Sequence, residues 1–178
     1  MATTDDQGAE QLLALLEQAR MLARDYYRLT DRPLGVTGEV AEAEAVRLLD
    51  VKLAPPRQNG YDATRIIDGQ EQKVQVKGRV LQRKKVDSEG KVKPKQTDSA
   101  KIGTIRLNHE WDIVALVLMD DDFETTAIYE ATRERIEAEI DRGGSKARKR
   151  GQLSVSAFKR LGRQTWPTGD LDNSSSLI

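Results

Sequence analysis

Nine consecutive residues constrain this fold more than any others: Trp111-Asp112-Ile113-Val114-Ala115-Leu116-Val117-Leu118-Met119. So apolar a run is buried on both faces, which makes it a central strand. It is half the ~18 residues a membrane span needs, and no other run comes closer. Asp120-Asp121-Asp122 turns the chain, and Phe123–Tyr129 is expected to return as a neighbouring strand.

Elements upstream and downstream supply what packs on that strand. Leu12, Leu15, Leu16, Ala19, Leu22, Ala23 and Tyr26 recur at three- and four-residue steps, with Leu13 widening the stripe. That spacing predicts an amphipathic helix over 8–30, ended by Asp31-Arg32-Pro33. Thr37 suits the N-cap of a second helix over 38–49, with acids crowding its first turns. Tyr61–Ile67 reads as a strand and Asp68-Gly69 as a tight turn. Lys73–Val80 alternates, with Val74, Val76, Gly78 and Val80 on one face and Lys73, Gln75, Lys77 and Arg79 on the other. The two segments make a hairpin.

Residues 82–101 are polar and aperiodic, which predicts a mobile loop. Ile102–Leu107 is expected as a short strand, Thr132–Ile140 as a helix and 156–161 as a helix capped by Ser154. The order of two helices, five strands and two helices defines an α/β, mixed α+β class. The chain divides into an N-terminal helix (1–34), a main domain (35–165) and a Ser/Asp/Asn-rich tail (166–178) expected to be disordered.

Composition removes several kinds of chemistry. The 178 residues include no Cys and one His, so disulfides, thiolate sites and His-dependent triads are excluded or improbable. The acidic start lacks a signal pattern, and the expected location is cytoplasmic. Lys+Arg and Asp+Glu both number 29, but the charges are segregated. Residues 1–62 hold 11 acids and 7 bases, 83–101 hold 7 bases and 3 acids, and 142–163 hold 8 bases and no acid. Solvated loops and phosphate-contacting surfaces both fit the basic segments.

The hairpin carries the chemistry. Asp62 stands early in its first strand, and Gln75 and Lys77 share a face of its second. Glu39 lies in the first turn of the preceding helix. Two carboxylates and an amide oxygen suit a hard cation such as Mg²⁺. A lysine beside them can orient a water and stabilise a phosphate oxyanion. Each residue also has a plainer reading: Gln75 and Lys77 as a solvent face, Asp62 as a turn residue and Glu39 as a helix-dipole charge.

Gly60-Tyr61-Asp62-Ala63, followed 13 residues after Asp62 by Gln75-Val76-Lys77, resembles the PD-(D/E)XK nuclease superfamily. Gln in the acidic slot is similar to the Mrr-type restriction endonuclease pattern. The wider layout resembles a small uncharacterised bacterial family of that superfamily. The likeness spans roughly residues 35–140. It implies a restriction-endonuclease-like mixed central sheet flanked by helices, Mg²⁺ (or Mn²⁺) as cofactor and DNA cleavage, in a restriction or phage-defence setting. Asp62, Glu39, Gln75 and the backbone carbonyl of Val76 match the metal ligands, and Lys77 the motif lysine. Gln75 departs from the acidic form and removes one negative charge from the site.

The partner this implies is DNA, with no membrane. Arg79, Arg83, Lys84, Lys85, Lys146, Arg148, Lys149 and Arg150 are the candidates for phosphate contact. The leucine-rich first helix suits a homodimer, and a partner protein supplying specificity is a further expectation. The alternative is a catalytically inactive member of the fold that binds nucleic acid or serves assembly. His109 reads as a loop residue, the Asp120–Asp122 run as a solvated turn, and Trp111 and Phe123 as core.

Overall fold

Every residue of Ile113–Met119 is buried. The structure, a computed structural model, describes residues 4–30, 34–81, 85–86, 92–93 and 99–168. In chain order its elements are α1 (Thr4–Thr30), α2 (Thr37–Leu49), β1 (Lys52–Leu53), β2 (Ala63–Ile67), β3 (Gln70–Val80), β4 (Lys85–Val86), β5 (Val92–Lys93), β6 (Lys101–Thr104), β7 (Ile113–Met119), β8 (Thr125–Thr132), α3 (Arg133–Asp141), α4 (Lys146–Lys149), β9 (Gln152–Ser154), α5 (Val155–Leu161) and β10 (Arg163–Trp166).

Six strands form one mixed sheet in the order β1-β2-β3-β7-β8-β10. β3 and β7 run parallel, from Val74 opposite Ile113 to Val80 opposite Met119, and the other neighbours are antiparallel. The fold class is mixed α/β, as the element order predicts. A parallel pair needs a crossover. This one runs through β6 and a small β4–β5 hairpin, with no helix among its described residues. The hairpin falls inside the predicted 82–101 loop.

Alternation along β7 sends its side chains into two cores. Ile113, Ala115, Val117 and Met119 pack with Val40, Ala41 and Ala45 of α2 and Ala23 and Tyr27 of α1. Val114, Leu116 and Leu118 pack with Trp111, Ile136, Leu153 and Phe158 on the other face. Sheet faces covered by helices are why the run is continuous rather than alternating.

Several boundaries differ from the sequence pattern. Thr37 is the first helical residue of α2; Val36 precedes it and makes no side-chain cap. Phe123 lies in the turn before β8, at φ 59°, and is fully buried there. The Asp68-Gly69 turn has φ of 52° and 78°, the left-handed pair that a two-residue hairpin requires. Ser154 does cap its helix, accepting from the Ala157 amide at 3.1 Å. Segment 142–163 is ordered into α4, β9 and α5 rather than forming a loop. No helix among the described residues is long and apolar enough to cross a membrane.

Candidate functional site

β2 and β3 part company at Asp62. Ala63 opposite Val74 is the last pair in their register. One further link follows, from the Asp62 amide to the Val74 carbonyl at 2.9 Å. Beyond it β3 continues to Val80 with no described strand on that edge. The Asp62 carboxylate fills the first gap, its Oδ2 accepting from the Val76 amide at 2.7 Å. The N–H and C=O of an extended residue point to the same side. The Val76 carbonyl therefore faces the open edge beside Asp62.

Gln75 and Lys77 share the opposite face of β3 from Val74 and Val76. Gln75 is only 6% exposed. Its Nε2 donates to the Gly60 carbonyl at 2.7 Å, which fixes the amide's orientation and leaves Oε1 buried without a partner. Gly60 is required at this point. Its φ is 107°, and a Cβ there would stand 2.6 Å from the His109 Cβ. Burial pushes the Lys77 ammonium below its ordinary pKa; Asp62 and Glu42 oppose that and Arg106 adds to it. No ion pair ties Lys77 among the described residues. Gln75 and Lys77 are thus not the solvated face of an outer strand.

The α2 carboxylate whose charge acts on Lys77 is Glu42, a residue the motif resemblance does not name. Gly78 lets α2 lie directly on β3, since a Cβ there would come within 2.6 Å of the Thr37 carbonyl and 2.7 Å of the Ala41 Cβ. Glu42 follows Ala41 and is half-buried. Burial first, then the charges of Asp62 and Glu39, push its pKa up to about 7, with Lys77 opposing. Glu39 is exposed on the first turn. It acts on the centre through Glu42. The signal available in the sequence was position, because Glu42 flanks the buried Val40-Ala41 and Glu44-Ala45 stripe while Glu39 precedes it.

These residues fit a hard cation. Among the described residues no three His, Cys, Asp or Glu side chains cluster closely enough to hold a metal by themselves. A cation would rest on Asp62 and Glu42, with the Gln75 amide oxygen and the Val76 carbonyl as neutral donors. All four are oxygen ligands, the kind Mg²⁺ and Mn²⁺ take. The buried Gln75 Oε1, which has no hydrogen-bond partner, is an oxygen such a cation could take up.

A polar cleft of about 490 Å³ adjoins, lined by Arg57, Tyr61, Arg106, Asn108, His109 and Glu110 among others. Arg133 ties together the 107–111 backbone that carries part of this lining. The guanidinium stacks 4.6 Å from the Trp111 ring centre and donates to the carbonyls of Leu107, His109 and Trp111. Its Nε also pairs with Glu137 at 2.8 Å, one turn along α3, but the carbonyls it holds lie more than twenty residues away in sequence, which is why the sequence did not single it out.

The expected phosphate-contact residues are scattered. Arg79 shares the Gln75–Lys77 face, and its Nε is buried without a partner. Arg83 and Lys84 lie outside the described residues, and Lys85 is described only as part of β4. Lys146, Lys149 and Arg150 are exposed on and after α4. β9 follows them and pairs with β6, whose Gly103 lies against the Lys77 stem. Arg148 is engaged elsewhere: it donates to the Gly143 carbonyl at 2.8 Å and pairs at 3.2 Å with buried Glu139. Arg142 and Arg160 meet the same carboxylate.

No family model matches the chain, and no curated protein matches it.

Proposed function

We propose that the chain is a metal-dependent nuclease acting on DNA phosphodiester bonds at the fork between β2 and β3. The observation that carries this reading is the meeting of charges at that fork: Lys77, half-buried and without an ion pair among the described residues, lies in the field of Asp62 and Glu42. A structural lysine in such a place would be ion-paired.

Mg²⁺ or Mn²⁺ bound to Asp62, Glu42 and the Gln75 and Val76 oxygens would polarise a phosphoryl oxygen and acidify a water. The protein's own part is positioning. Asp62 is held by the Val76 amide, and Gln75 by the Gly60 carbonyl. Lys77 orients the attacking water and holds charge that develops on the phosphate oxygens. The water oxygen bonds to phosphorus, the bond from phosphorus to the leaving sugar oxygen breaks, and that oxygen takes up a proton. Arg57 and Arg106 in the adjoining cleft, with Arg79 and the exposed bases around α4, suit the flanking phosphates.

Gln75 favours a second reading. With a neutral residue in that slot, only Asp62 and Glu42 bring negative charge to the centre, and the fold then serves as a nucleic-acid-binding module. Supercoiled plasmid incubated with the protein in Mg²⁺, Mn²⁺ or EDTA separates the two. Nicking that needs metal and is lost in Asp62→Ala and Lys77→Ala supports the nuclease. Salt-sensitive binding without cleavage in either metal supports the binding module, and neither outcome leaves both readings without support.

A further inference from the structure

α1 carries two apolar seams, and only one is covered. The inner seam of Leu16, Arg20, Ala23 and Tyr27 faces the molecule: Leu16 and Arg20 line a cavity shared with α2, and Ala23 and Tyr27 enter the core. Shift each of these positions back by one residue and a second series appears: Leu15, Ala19, Leu22 and Tyr26. Leu12 and Leu29 extend it. The steps along this outer seam alternate three, four, three, four, three, the spacing that brings every member onto the contact line between two coiled helices. Leu15, Leu22 and Leu29 occupy equivalent heptad positions and are 61%, 62% and 87% exposed. Leu12, Met21 and Tyr26 are exposed beside them. Isolated surface leucines need no explanation, whereas a continuous heptad line of them does.

We infer that this outer seam is the interface of a homodimer in which α1 pairs with α1 of a second copy as a parallel two-helix coiled coil. A line of leucines at 3.5-residue average spacing is self-complementary, so the surface that fits it best is the same surface. Covering the seam's own exposed leucines and Tyr26 in two copies would remove roughly 1,100 Å² from water before the flanking side chains are counted, near the lower end of the ~1,200–2,000 Å² of stable complexes. Direction follows from the geometry of the seams. One residue of offset turns the outer seam about 100° from the inner one. A parallel pair has its two-fold axis along the helices and sends the two sheet domains to opposite sides. An antiparallel pair would place both domains on the same side, where they compete for space. In the parallel register Leu15, Leu22 and Leu29 each meet their own counterpart.

The inference is independent of the catalytic reading. Sedimentation and light scattering of the full chain over a concentration series should give twice the chain mass. Leu22→Glu should give the chain mass at concentrations where the parent is dimeric. Unchanged helical circular dichroism and cooperative melting of that variant exclude misfolding as the cause, and Leu29→Ser should weaken the dimer in the same direction. Register is read by disulfides, since the chain has no cysteine of its own. Under mild oxidation Leu29→Cys, at one end of the seam, should cross-link to itself far faster than Glu71→Cys, an exposed hairpin position. A parent that stays monomeric, or a dimer that Leu22→Glu leaves intact, overturns the interface. A dimer in which Leu29→Cys cross-links no faster than Glu71→Cys overturns the parallel register.

Discussion

Glu42 and Lys77 are held in costly states, and the cost can be measured. A carboxyl whose folded pKa is raised binds its proton more tightly in the folded chain than in the unfolded one. The penalty on the folded state is therefore absent below the ordinary 4.5, grows as pH rises from there, and is complete above the folded value of about 7. With solvent reaching part of the side chain, Glu42→Gln should stabilise the protein at pH 8 by about 1–2 kcal/mol. The gain should fade by about pH 4.5, and melting at the two pH values checks it. Lys77 carries the opposite sign. Its folded pKa is lowered, so the penalty is present at neutral pH and absent only well above the ordinary lysine range. Lys77→Met should therefore melt higher than the parent at pH 7 while losing cleavage, the pattern of a residue kept for function at the expense of stability.

That Gln75 and Lys77 lie on one face of β3 was legible in the sequence because a strand's period of two fixes which side chains share a face. The helix carboxylate was not. Which of Glu39 and Glu42 reaches the hairpin depends on how α2 rotates on β3, and that is set by the contact of Gly78 with Thr37 and Ala41, across 41 and 37 residues of chain.

Among the elements, the close approach of α2 to β3 is what brings Glu42 to the fork. Gly78→Val would push its Cβ into the Thr37 carbonyl and the Ala41 methyl. It should cost about 2–3 kcal/mol in denaturant unfolding, the usual scale for overpacking a close contact. Cleavage should fall further than stability does. The cleft wall depends similarly on Arg133. Arg133→Ala removes three carbonyl contacts and the stack on Trp111. Faster amide exchange across 106–111 with unchanged exchange in β7 is the expected result. The central strand, the β2–β3 hairpin and four of the helices were readable from periodicity. β10 was not: Arg163-Gln164-Thr165-Trp166 lacks an apolar alternation because it is a sheet edge, paired only to β8. The short β1 and β9 are likewise made by their partners, Thr64 and Ala63 for one and β6 for the other.

For the whole molecule, a neutral sum conceals charge segregated along the chain. Acids gather on the α1–α2 side, and the exposed bases after Lys146 follow one another along α4. DNA binding in EDTA should weaken with salt at a slope of roughly −3 to −5 in log–log form, for about four to six phosphate contacts. Lys149→Gln should reduce that slope by about one. Arg148→Gln should leave the slope unchanged and lower the melting temperature instead, because its guanidinium serves Glu139. The rate of metal-dependent plasmid nicking under single-turnover conditions decides whether the fork is the catalytic centre. With Mg²⁺ or Mn²⁺ present, Asp62→Ala, Lys77→Ala and Glu42→Gln should each slow nicking by at least about a hundredfold, while Glu39→Gln stays within a few-fold of the parent. Metal-dependent nicking that survives Asp62→Ala and Lys77→Ala, or that depends on Glu39 and not on Glu42, would contradict that role for the fork.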